Sequence, residues 1–162
     1  MQSYIGTKRV NATPMTRITY NNLRGWTLPE DENGDDAGFL VEYVDGGKAN
    51  VLGYDGYVSW SPANVFERAY KPTSGMSFGD AIAVLKAGGK VAREGWNGKG
   101  MFVYLVPGSQ FQVSRAPLLG IYPEGTQIDY RPHIDIKNVD GSIATWAPSI
   151  GDTLADDWAE VV

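Results

Sequence analysis

The sequence predicts an α+β chain of two small domains, each a small antiparallel sheet packed with one or two short helices. Three observations on its 162 residues carry that expectation. Short runs rich in β-branched and aromatic residues are separated by Asp-Gly turns, the mark of hairpins. One segment, beginning at Ser77, holds a complete helix signature. The stretch Lys71-Pro72-Thr73-Ser74-Gly75 joins Pro, Gly and small polar residues and reads as a linker. The chain is divided there, into residues 1–72 and 73–162.

In the first half a short strand is expected at Lys8–Ala12, and Pro14 is positioned to open a helix running through Asn22. An acidic, Gly-containing loop follows from Pro29 to Gly38. Phe39–Val44 has strand composition, Asp45-Gly46-Gly47 forms a turn, and Tyr57–Trp60 supplies a second strand. Ser61 as cap and Pro62 at the first helical position then predict a helix on which Val65/Ala69 and Phe66/Tyr70 stack one turn apart.

In the second half Ser77 caps a helix and Asp80, three residues on, answers it as a capping box. Phe78, Ala81, Ile82 and Leu85 fall at i, i+3, i+4 and i+7, so they form one apolar face. Gly88-Gly89 stops the helix. Strands are expected at Lys90–Glu94 and Met101–Val106, with the Gly-rich turn Gly95–Gly100 between them. Ile134–Val139 and Ser142–Trp146 predict a hairpin around Asp140-Gly141, and Asp152–Trp158 reads as a short helix with Leu154 and Trp158 one turn apart. Tyr57–Pro62 and Ile143–Pro148 echo each other as strand, Trp, small residue, Pro, each ahead of a predicted helix. Duplication of a hairpin-to-helix unit and coincidence both explain the echo. Unlike Trp surroundings and unlike chain paths would decide for coincidence.

Composition limits the functions open to such a chain. Charged residues make up 20% and hydrophobic residues 43%, as in an ordinary globular protein. The net charge of −5 is spread over both halves, with seven basic and nine acidic residues before residue 73 and seven and ten from there on. That balance argues against a basic face for duplex nucleic acid, and it leaves room for a small anionic ligand held by a few side chains and backbone amides. No cysteine is present, so disulfides and thiolate metal sites are excluded. Met1–Val10 shows no apolar leader and no run approaches the ~20 residues of a membrane span, so the expectation is a cytoplasmic protein without a membrane partner.

Covalent chemistry finds little support. The single histidine, His133, shares a strand face with Asp135, and two ligands do not make a zinc site. No Gly-x-Ser-x-Gly elbow occurs, and the acids Glu30-Asp31-Glu32 and Asp156-Asp157 read as solvated; Asp157 is expected to be an exposed helix residue. No catalytic residue and no cofactor is assigned. Binding is better supplied. The turn Gly95–Gly100 lacks the Walker and dinucleotide fingerprints, yet it displays Trp96, Asn97 and Lys99: a π-face, a paired donor and acceptor, and a charge. The rival reading is an ordinary turn whose Trp packs on the core. Phe102 and Tyr104 share the strand face opposite Met101, Val103 and Leu105, so both faces are apolar and one must be covered by sheet, ligand or another subunit. That favours a homo-oligomer.

The second half also resembles a known family. Met76–Ala81, Val91–Phe102, Thr145–Ser149 and Leu154–Trp158 are similar to the phage Thoeris anti-defence domain of the second type, over roughly residues 75–162. The resemblance implies a sponge: a homo-oligomer, typically a tetramer, that sequesters a small anionic nucleotide signal of the cyclised ADP-ribose type, with cyclic dinucleotides as further ligands, and does not degrade it. On that reading Trp96 and Trp146 contact base or ribose, Asn97 reads polar edges, and Arg93 and Lys99 meet phosphates. Tyr104, Ser149 and Asp156 complete the candidate set, and Trp158 is assigned to the core. The first half is similar to a segment common in phage proteins, carried by Tyr20-Asn21, Arg24-Gly25-Trp26, Glu42–Gly47 and Trp60–Tyr70; the resemblance implies no function for it, and this half keeps open the rival reading of a structural or protein-interaction module of a phage, with a signal-cleaving hydrolase as the third.

Overall fold

The computed structural model describes residues 1–4 and 6–162. The chain forms two compact units, Met1–Lys71 and Pro72–Val162. Both are mixed α+β, with four helices and small antiparallel sheets in all among the described residues.

The first unit holds a three-stranded sheet in the order β1 (Val10–Pro14), β2 (Gly38–Tyr43), β3 (Tyr57–Pro62), every pairing antiparallel. β1 lies two residues later than the sequence predicts, and Pro14 ends it instead of opening a helix. Pro lacks a ladder donor and is tolerated at a strand end on an edge. Helix α1 (Arg17–Arg24) is started by Thr16, whose hydroxyl accepts from the Thr19 amide, and is closed by Gly25 at φ 66°. Only glycine adopts that left-handed conformation at little cost. Tyr20, Leu40 and Val58 form the unit's core, with Trp60 packed against it. Gly38 sits where a Cβ would lie 2.3 Å from the Trp60 ring, so its missing side chain lets the indole close on the sheet.

Helix α2 (Ala63–Ala69) corrects the expectation at Ser61 and Pro62. Both residues belong to β3, Pro62 occupies the cap position, and no side-chain cap is made. The aromatic pairing held: Phe66 stacks on Tyr70 with centroids 4.9 Å apart, and on Phe39 at 4.2 Å.

In the second unit a five-stranded sheet runs β10 (Trp158–Val161), β4 (Lys90–Arg93), β5 (Phe102–Val106), β8 (His133–Lys137), β9 (Ile143–Trp146), all antiparallel. Helix α3 (Phe78–Lys86) carries the expected Ser77–Asp80 capping box. Its Ala81 and Leu85 are fully buried against Val91, Val103, Ile136 and Trp158. A separate ribbon, β6 (Ser109–Gln112) with β7 (Gln127–Tyr130), has no counterpart in the sequence reading.

The C-terminal segment departs most from expectation. Helix α4 is a single turn, Ile150–Thr153, and Trp158 opens a strand. The Leu154/Trp158 spacing looked helical, but Leu154 is 77% exposed whereas Trp158 is fully buried, so they share no face. The proposed duplication also fails on its own terms. Trp60 donates from Nε1 to the Met15 carbonyl at 2.9 Å and β3 runs straight into α2, while Trp146 meets three other aromatic rings and three residues separate its strand from α4.

Candidate functional site

Strand alternation sorts the candidate residues of the second unit onto two faces. Arg93 is paired with Trp158 and Trp146 with Ile134, so both side chains lie on the core face of the sheet with Val91 and Val103. Tyr104 pairs with Lys90 and Asp135 and lies on the opposite face beside Phe102. Within one chain Tyr104 therefore stands apart from the tryptophans.

On the core face the indoles form a cluster. Trp96 and Trp146 meet edge to face at 6.1 Å, and each meets the buried Trp158 in the same way, at 5.5 and 6.0 Å. Phe78, at the start of α3, joins from the helix side. Such T-shaped contacts set the positive ring edge against the negative face, contributing about 0.5–1.5 kcal/mol per pair beyond area burial. Trp96 and Trp146 are half-buried, so part of each ring reaches the surface.

One carboxylate ties this cluster together. Ser149 and Asp152 form a second capping box at the start of α4, with Asp152 Oδ2 accepting from the Ser149 amide at 3.0 Å and its hydroxyl at 2.7 Å. The other oxygen, Oδ1, accepts from Arg93 Nη1 at 2.9 Å and from Trp96 Nε1 at 3.2 Å. The Asp152 carbonyl accepts from Trp158 Nε1 at 3.0 Å. Burial pushes the Asp152 carboxyl up, but the hydrogen bonds from Arg93, Ser149 and Trp96 outweigh it and bring it down to about 2.

Arg93 is also held by Asp157, through Nε to Oδ1 at 2.7 Å and Nη2 to Oδ2 at 3.3 Å. This two-pronged pairing is the geometry in which a guanidinium binds a carboxylate best. It lowers the Asp157 carboxyl, chiefly through Arg93, and raises Arg93, chiefly through Asp157. Asp157 Oδ2 further accepts from the Gly95 amide at 2.9 Å, and a Cβ on Gly95 would stand 2.8 Å from that oxygen. Asp157 is thus no exposed helix residue: it lies between α4 and β10, half-buried.

The result is a clamped turn. Its root is fixed through Arg93, Gly95 and Trp96, while Asn97 and Lys99 at its tip are exposed. Ser149 lies at the same cluster, its hydroxyl engaged in the cap. Asp156 is exposed beside Asp157. Asp152 escaped the sequence reading, although Ser149-Ile150-Gly151-Asp152 repeats the Ser-x-x-Asp pattern recognised at Ser77. On the other face His133 Nε2 lies 3.6 Å from Asp135 Oδ1, and Lys90 and Lys137 flank the Phe102 ring at 5.4 and 5.7 Å. Among the described residues no three His, Asp or Glu side chains are grouped to hold a metal, and no helix is long and apolar enough to cross a membrane.

An α+β unit that clamps an aromatic cluster beneath a polar turn matches one family model, that of the Thoeris anti-defense 2-like domain, across residues 76–161, and the chain belongs to that family. Among curated proteins it is similar to Thoeris anti-defense 2 of Bacillus phage SP01, with 41% identity over 83 residues, which is 51% of this chain and 91% of the relative. The matched stretch lies within the second unit; the first unit falls outside the family match.

Proposed function

We propose that the chain is a phage anti-defence protein that blocks Thoeris immunity by binding a cyclic nucleotide signal of the cyclised ADP-ribose type and holding it intact. Membership of the Thoeris anti-defense 2-like family carries the anti-Thoeris role. One observation supports binding as its means: a turn rigidly anchored by Arg93, Asp152 and Asp157 presents Asn97 and Lys99 beside two half-buried tryptophans. Trp96 and Trp146 stack on base or ribose, Asn97 reads a polar edge and Lys99 meets a phosphate. Arg93 has two carboxylates as partners, so it adds field and positions the turn; Ser149 acts alongside it through the cap, and Asp156 borders the site. Tyr104 joins only if a second copy brings its outer sheet face, with Phe102, Lys90 and Lys137, to the turn of the first. A homo-oligomer, tetrameric by analogy with the family, supplies that arrangement, and cyclic dinucleotides are the second ligand class.

The test is thermal melting with and without cyclised ADP-ribose, followed by mass spectrometry of ligand released on heating. A native-state binder raises the melting temperature by mass action. Recovery of intact signal supports sequestration; recovery of products makes the protein a hydrolase; no shift at high ligand concentration removes the binding reading. Trp96→Ala is expected to weaken signal binding by about 1–3 kcal/mol, the scale of one aromatic–base stack.

A further inference from the structure

The first unit contains a cavity of about 580 Å³, inside the size range of small-molecule sites. Helical spacing places Arg17, Tyr20, Asn21 and Arg24 on one face of α1, and the first three line this cavity together with Trp26 and Trp60. Most of these groups have partners. Arg17 lies over the Trp60 ring at 4.5 Å and pairs with Glu32, which also lines the cavity. Tyr20 donates to the Val58 carbonyl and accepts from Arg24.

Asn21 differs. Its residue is only 7% exposed, but its carboxamide is open to the cavity it lines and is not sealed in the core. An unpartnered carboxamide open to a cavity presents its donor and its acceptor to whatever enters there. Trp26, 53% exposed, forms a wall beside it, backed by Arg24 at 4.3 Å and met edge-on by Tyr20 at 6.1 Å. A large indole left half-exposed at the mouth of a cavity, and held in place by Arg24 against it, is a platform on which a flat ring can stack.

We propose that this cavity binds a planar heteroaromatic ring carrying an amine beside an acceptor nitrogen, adenine being the type. The ring stacks on Trp26 and the Asn21 carboxamide pairs with its edge. A carboxamide offers one donor and one acceptor side by side, which complements adenine's amine and neighbouring ring nitrogen; the two adjacent acceptors of guanine's corresponding edge do not match it. With Arg17 paired to Glu32 the cavity holds no strong surplus of positive charge, which suits a neutral base more than a phosphate. This site is separate from the turn of the second unit and does not depend on the function proposed for it.

The test uses the full chain, with adenosine and guanosine as probes in ligand-observed NMR and calorimetric titration. Adenosine is expected to bind more tightly than guanosine. Trp26→Ala, at a half-exposed position that leaves the core intact, should weaken adenosine roughly tenfold, on the scale of one stacking contact. Asn21→Leu should erase the preference between the two bases, with circular dichroism confirming that the unit stays folded; Asn21→Asp, which removes the donor and keeps the shape, gives the same loss of preference if Leu unfolds it. Trp96→Ala should leave adenosine binding unchanged. Absence of adenosine binding at millimolar concentration overturns the proposal. So does binding that survives Trp26→Ala, or that is lost in Trp96→Ala and displaced by cyclised ADP-ribose, since the base then sits in the second unit.

Discussion

Each unit sets one arginine against tryptophan and two carboxylates, and the two settings differ in how completely the guanidinium is used. Arg93 donates to Asp157 from two nitrogens and to Asp152 from the third. Arg17 pairs with Glu32 through Nη1, while its buried Nε makes no hydrogen bond and stands 3.9 Å from Asp36. The most shielded carboxylate is on the Arg93 side: Asp152 is 13% exposed and Asp157 31%, against 34% for Glu32 and 48% for Asp36. A fully engaged guanidinium is a strut. A partly engaged one beside a cavity retains capacity to respond to what enters it.

Four substitutions test that contrast. Trp158→Ala should have the largest effect, about 3–5 kcal/mol, because it empties the centre of the second core, and melting of the second unit should fall far while the first unit's transition stays in place. Asp152→Ala removes a cap and takes the acceptor from Arg93 Nη1 and Trp96 Nε1, so a loss of about 1–3 kcal/mol is expected in denaturant titration. If Asp152→Ala costs no more than a surface change, the strut reading fails. Gly95→Ala pushes a methyl against Asp157 and should cost about 1–2 kcal/mol while loosening the turn, seen as faster amide exchange at Gly95. Glu32→Gln should cost less than about 1 kcal/mol, as expected of an ion pair open to water.

Acid sharpens the same comparison. Asp152 titrates at about 2 when folded, below the ordinary carboxylate value of about 3.9. Its contribution is therefore complete above pH ~4 and is lost as pH falls toward about 2, because the unfolded chain takes up the proton first. The second unit should lose stability over that window, and Asp152→Asn should flatten the dependence in melts taken across it.

Much of the fold was legible because its signals are local. The Ser77–Asp80 box, the apolar face of α3 and the Asp140-Gly141 hairpin are each written within about ten residues, and each formed as read. The errors arose where local signals competed. At Ser61-Pro62 a helix-start pattern overlapped a strand, and pairing with Gly38 and Phe39 kept both residues in the sheet. At Leu154–Trp158 the four-residue spacing suggested a helix, but burial of Trp158 against the core drew the segment into a strand beside β4. The ribbon β6–β7 is largely polar and mostly exposed, so it left no apolar pattern to read. In the candidate site the turn residues were legible by type; the role of Asp152 was not, because its partner Arg93 lies 59 residues away and only the folded sheet joins them.

The place of β10 has a consequence for how the second unit comes into being. Its strand pairs with β4, some seventy residues earlier, and Met76 bridges to Trp158 as well. During synthesis the ribosome releases α3, the turn and four strands of the sheet before the ring that seals them exists. Until residues 158–161 emerge, the underside of α3 and the faces of Trp96 and Trp146 are open to water and to other chains. The nascent second unit therefore stays unsealed through almost its whole length and closes in one late step, whereas the first unit can finish its sheet as soon as Pro62 is free.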